Sequence, residues 1–158
     1  MRLKTFLLFS LVFLMMPWLP SCKKSDSTKP NPAIVNTWNF QGQTITVGYS
    51  DIITKKGFTL IFHPEASTHS NQELQFIFPS HPVGEQSFSP SADTSNAQAV
   101  MVHLLTDQGG YHSADGDTAK VRTSIFNNKV YLTGFNLNLQ SDSVTGGKSP
   151  LSFNLTEF

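Results

Sequence analysis

The sequence predicts an all-β fold, an antiparallel β-sandwich of about eight or nine strands with a lipocalin-like β-barrel as the alternative. Three observations carry that prediction. Apolar residues recur at every second position from Trp38 onward, which is the period of a half-buried strand. Clusters of glycine, asparagine and aspartate separate the runs. These clusters follow one another too closely for a long amphipathic helix to fit between them.

Taken in order, Trp38 opens the pattern, and Phe58, Leu60 and Phe62 then share one face with Thr59, Ile61 and His63 on the other. The same alternation places Leu74, Phe76 and Phe78 together, then Val100, Val102 and Leu104, then Val121, Thr123 and Ile125. Phe135, Leu137 and Leu139 form the next run, and Leu151, Phe153 and Leu155 the last. Turns are expected at Gly42, at Lys55-Lys56-Gly57, at Asp107 to Gly110, at Asp115-Gly116, at Asn127 to Lys129 and at Gly146-Gly147. The apolar parity changes between Val130, Leu132 and Phe135, so Gly134 marks a bulge or a close backbone approach. The longest irregular piece, residues 79 to 96, is expected to wrap an edge or end of the sheet, with Glu85 to Phe88 as a short strand.

The first part of the chain reads differently. Arg2 and Lys4 precede the apolar run "FLLFSLVFLMM", which ends before Pro17 and Pro20, the layout of a secretory signal. A spanning helix needs about 20 apolar residues, roughly twice this run. The chain's one cysteine follows in "LPSCKK", where Leu19 and Ser21 before Cys22 resemble the bacterial lipoprotein box. That resemblance implies that Cys22 becomes the first mature residue and carries a thioether-linked diacylglycerol and an amide-linked acyl chain. Several acyl chains anchor stably where one binds only marginally. The next residues, "KKSDSTKPNPA", lack apolar periodicity and read as a flexible tether. The expected organisation is a signal peptide over 1–21, a lipidated cysteine and tether over 22–34, and a single domain over 35–158.

Composition narrows the partners. The whole chain carries 11 basic and 11 acidic side chains. Loss of Arg2 and Lys4 with the signal leaves 9 − 11 = −2, with no basic patch to track phosphates, so nucleic acid is not an expected partner. A lone cysteine offers no internal disulfide, and stability must come from a core of Phe and Leu.

Few residues point to chemistry. "DQGGYHSADGDT" brings Asp107, His112, Asp115 and Asp117 close in sequence, a weak Ca²⁺ candidate, since about six to eight oxygen ligands would be needed. Its spacing does not follow the EF-hand pattern, and Asp-Gly is a common turn signal. His63 and His103 lie on the second faces of their strands, where a fold could pair two imidazoles as the start of a zinc site. The remaining histidines, His69, His81 and His112, are scattered. G-x-S-x-G does not occur, the S-x-x-K at Ser21 to Lys24 is split by the expected cleavage before Cys22, glycine loops for nucleotides are missing, and no cofactor is called for. Ile61, Ile77, Met101 and Leu105 fall on outward faces and form a candidate contact patch.

With anchor, tether and strands in place, the chain resembles the small single-domain lipoproteins of Bacteroidota-type Gram-negative bacteria. The resemblance rests on "SCKK", on the tryptophan of "TWNFQGQTI", on Pro82-Val83-Gly84, and on the closing pair "VYLTGFNLNLQ" and "LSFNLTEF". It implies a cell-envelope location and a β-sandwich, and carries no catalytic residue. The triplets beginning at Asp26, Asp117 and Asp142 resemble the O-glycosylation acceptor of these bacteria, which points to Ser27, Thr118 and Ser143. The expected function is an outer-membrane-anchored, non-catalytic binding or accessory module for an envelope protein or a glycan, on the periplasmic or surface face. The alternatives are a metal-dependent envelope hydrolase using His63, His103 or the 107–117 segment, and a structural envelope protein.

Overall fold

The computed structural model describes residues 35–55, 57–65 and 71–158. The readings on residues 1–34, Cys22 and Ser27 among them, and on His69 lie outside the described residues. All regular elements described are strands: β1 (Thr37–Phe40), β2 (Gln43–Ile53), β3 (Phe58–Pro64), β4 (Glu73–Phe78), β5 (Gln86–Pro90), β6 (Ala99–Thr106), β7 (Gly109–Ser113), β8 (Val121–Phe126), β9 (Lys129–Ser141) and β10 (Lys148–Thr156).

The turn residues set the local connections. Gln41 and Gly42 both have positive φ between β1 and β2, as do Asn127 and Asn128 between β8 and β9. Two positive φ values in a two-residue loop are the mark of a type I′ hairpin, whose twist matches that of the strands it joins. Glycine and asparagine tolerate this region best, which is why these positions were readable as turns.

The all-β expectation holds, and the pairings form one continuous sheet that closes on itself. Neighbours run β1–β2–β3–β4–β6–β7–β9–β10, and β10 returns to β1 through Thr37↔Asn154 to Phe40↔Leu151. β5 and β8 form a second bridge between β6 and β9, so every strand has a hydrogen-bonded neighbour on each side. Closure removes the open edges through which sheets aggregate. The sheet is antiparallel except where β5 runs parallel to β6 at Ser89↔Ala99 and Pro90↔Val100. Residues 79 to 96 therefore do more than wrap an edge. They supply β5, one residue later and longer than the expected Glu85–Phe88.

The interior is filled by side chains from every strand. Trp38, Phe62, Phe76 and Phe78 are the largest of the fully buried ones. Phe76 meets Phe153 edge-on at 4.8 Å, and Phe78 meets Phe88 at 4.9 Å. These T-shaped contacts are the favoured geometry for aromatic pairs.

Gly134 does mark a bulge. Leu151 faces Leu137 and Phe153 faces Gly134, so three steps along β9 match two along β10. Asn136, inside the bulge, has positive φ. The extra residue turns Phe135 outward, where it is 75% exposed. This corrects the expectation that Phe135 shares the buried face of Leu137 and Leu139; the interior positions of β9 are Val130, Leu132, Gly134, Leu137 and Leu139.

Register gives the barrel two distinct ends. One, the near end, holds the start of β1, the end of β10, the β2–β3 and β8–β9 turns and the segment between β4 and β5. There Asn36 Oδ1 accepts a hydrogen bond from the Thr156 amide at 2.7 Å. The far end holds the β1–β2, β6–β7 and β9–β10 turns.

Candidate functional site

A cavity of about 220 Å³ opens at the far end. Its floor is made by interior residues that the strand alternation directs inward: Trp38 and Phe40 from β1, Ile45 from β2 and Leu104 from β6. Its rim comes from turns, with Gln41 and Gln43 from one hairpin, Thr106, Asp107 and Gln108 from another, and Gln72 just before β4. Asp107 is the single charged side chain of the lining.

The rim is held in place by its own hydrogen bonds. Gln41 Nε2 donates to the Tyr111 hydroxyl at 3.2 Å and to Ser149 Oγ at 3.1 Å, and so ties the β1–β2 turn to β7 and β10. Thr106 Oγ1 donates to the Gly109 carbonyl at 2.9 Å and accepts from the Gln108 amide at 3.2 Å, which fixes the β6–β7 turn. On the floor, Trp38 is 1% exposed, and its buried indole N–H meets no acceptor among the described residues. A buried donor left without a partner costs about 1 to 3 kcal/mol, and this one is closed to solvent as well, so it is a cost borne by the core rather than a contact point for a ligand. Amide, hydroxyl and carboxylate groups over an indole can both donate to and accept from a neutral polar molecule.

The metal candidates are not brought together. Asp107 sits on the cavity rim, while β7 carries the chain some 16 Å onward before Asp115. Asp115 Oδ1 accepts from Ser91 Oγ at 2.7 Å and from the Ala92 amide at 3.1 Å. Asp117 caps two other amides, Asn138 at 2.6 Å and Ala119 at 3.1 Å. No group of three metal-ligating side chains occurs among the described residues. The sequence reading failed here because "GGYHS", bracketed by turn signals, is itself a strand.

His63 and His103 do not pair either. β4 lies between their strands, which puts them about 10 Å apart or more. His63 instead stacks on Tyr49 at 4.3 Å and bonds Asp51 at 3.1 Å. His103 is the direct cross-strand neighbour of His112. Asp142 in the β9–β10 turn contacts both, with Oδ1 2.5 Å from His112 Nδ1 and Oδ2 3.6 Å from His103 Nε2. The carboxylate hydrogen-bonds His112 and lies close to His103, which ties β7 to the β9–β10 turn.

Ile61, Ile77, Met101 and Leu105 do face outward and are half-buried. Ile77 and Met101 are direct neighbours, whereas Ile61 faces Gln75 and Leu105 faces Glu73. Polar side chains thus interrupt the patch. Thr118 and Ser143 are both exposed.

Asp115 and Asp93 both titrate below the ordinary aspartate value of 3.8. For Asp115 the leading cause is the Ser91 hydroxyl, and for Asp93 it is the Ser95 hydroxyl; each favours the ionised form. A depressed folded value means that this stabilisation is complete above the ordinary carboxylate range and is lost as pH falls through the lowered value. The Asp115 carboxyl followed by NMR should therefore have its midpoint below 3.8, with the Ala92 amide signal moving in parallel. A midpoint at or above 3.8 would show that Asp115 does not hold the 91–92 segment.

No protein-family model, no curated protein and no solved structure matches this chain.

The cavity was not foreseen from sequence, because glutamine in turns is unremarkable and its lining comes from segments far apart in the chain. The faint signal was a pair of amide-bearing turns, "QGQ" at 41–43 and "DQ" at 107–108.

Proposed function

We propose that this protein is an outer-membrane-anchored lipoprotein that works as a non-catalytic binding module, and that the far-end cavity receives a single neutral sugar unit of a glycan. One observation carries the reading: a cavity with the rings of Trp38 and Phe40 on its floor and a rim that is almost wholly amide and hydroxyl. A sugar ring offers an apolar face to Trp38 and Phe40 and alternating donors and acceptors to Gln43, Thr106 and Gln108. The cavity, of about 220 Å³, suits a small ligand. Asp107, the one charge in the lining, disfavours anionic ligands. Anchoring follows from the lipoprotein-like "LPSCKK".

Two measurements test this reading. Cys22→Ala should abolish incorporation of labelled fatty acid, and continued labelling would remove the anchor. Titration with neutral monosaccharides should shift NMR signals of the cavity lining saturably. Gln108→Ala, which removes one rim amide, should weaken that binding by about two- to tenfold, the worth of one hydrogen bond. Absence of saturable shifts with any neutral sugar at millimolar concentration would overturn the ligand assignment.

A further inference from the structure

We infer that the near end of the barrel is a membrane-facing surface that rests in the interface of a bilayer. Nine large apolar side chains are well exposed among the described residues, and six of them lie at this one end: Val35, Ile52, Ile53, Val83, Phe126 and Phe158. Tyr49 and Phe135 sit on the barrel wall, and Val144 alone lies at the far end.

The six are linked through the backbone around them. The Phe158 amide donates to Ser50 Oγ at 2.9 Å, two residues from Ile52, while the neighbouring Glu157 amide donates to the Val130 carbonyl at 2.9 Å. Phe158 is thus held between the tail of β2 and the start of β9. Phe126 packs edge-on against Tyr131 at 6.2 Å. Val83 shares a surface hollow with Ile125 and with Asn128 of the β8–β9 turn. Val35 precedes β1 at the same end. Such a ring of apolar side chains around strand ends is costly in water, and it marks an interaction surface.

One feature selects a bilayer as the occupant. Charge does not, because Lys55 and Lys129 share this end with Asp51, Glu85 and Glu157. The chain enters the barrel here, at Val35, 13 positions after Cys22. Thirteen residues span at most about 45 Å, so on the anchored reading, on which this inference rests for its direction, the near end is the one drawn toward the lipid. Docked this way, the barrel leaves its far-end cavity facing away from the membrane.

The test uses the full processed chain in vesicles of phosphatidylethanolamine and phosphatidylglycerol with brominated acyl chains. Phe126→Trp and Val83→Trp report on the near end, and Val144→Trp reports on the far end, against the buried Trp38 as background. The expected result is several-fold stronger quenching at either near-end position than at Val144→Trp; equal quenching overturns the inference. A lipid-free dimer that shields Val83→Trp from aqueous iodide would assign the surface to a second copy and also overturn it. Fatty-acid labelling of the same samples separates the two readings. A labelled chain with equal quenching keeps the anchor and rejects the membrane-facing end. An unlabelled chain with unequal quenching keeps the membrane-facing end and rejects the anchor.

Discussion

Phe76→Ala is expected to remove about 3 to 5 kcal/mol of stability, the usual cost of deleting a buried ring and leaving a cavity. Phe76 is fully buried, lies in β4 with a strand on each side, and meets Phe62 and Phe153 edge-on. Its neighbour Gln75 points outward and bonds Glu73 at 2.9 Å on the half-exposed wall. Gln75→Ala should change stability by no more than roughly 0.5 kcal/mol. Urea midpoints for the two variants decide between registers, because a one-residue slip would exchange their faces. Comparable losses at both positions would mean that the sheet faces have been assigned wrongly.

Gly134→Ala is expected to cost about 1 to 3 kcal/mol through overpacking. A Cβ built at Gly134 would lie 2.3 Å from Phe153 Cζ and 2.5 Å from its Cε1. The Phe153 ring cannot swing away freely, since it is itself buried and packed against Phe76. The backbone at Gly134 is in ordinary φ territory, so the penalty is steric. The double variant Gly134→Ala with Phe153→Leu should therefore lose less than the sum of the two single losses, as contacting residues do. A thermal midpoint for Gly134→Ala equal to that of the parent would show that Phe153 does not lie over this glycine.

How far the fold could be read from sequence follows from the physics of each element. Runs such as Phe58-Leu60-Phe62 and Leu74-Phe76-Phe78 carry strong alternation, because each strand has one face in the interior, and every residue of both runs is buried as expected. The parity break at Gly134 was visible for the same reason: a bulge shifts the alternation by one. What the alternation could not show was which way Phe135 would turn, since apolarity does not reveal the inserted residue. β7 was hidden because five residues with a single buried aromatic, Tyr111, resemble a long turn when flanked by glycines. β1 has four residues, and its partner β10 lies at the other end of the chain. Closure of the ring therefore left no local trace.

The candidate site was less legible still. The cavity depends on three-dimensional convergence of turns, and the His103–His112–Asp142 contact depends on strand register together with a distant turn. Neither spacing within one segment nor residue type signals such convergence. Metal-site reasoning looked for ligands close in sequence, where a strand in fact pulls them apart.

The β1–β10 pairing also constrains how the chain reaches its native state. Thr37 waits for Asn154, so the ring cannot close until nearly the whole polypeptide is present. Contacts of such long sequence separation raise contact order and slow folding, because the entropy of loop closure is lost before those contacts form. During synthesis in the N-to-C direction, β1 and β9 each keep one unsatisfied edge until β10 emerges. A truncation within Lys148–Thr156 would make that transient state permanent, with two open edges able to pair with the open edges of another copy.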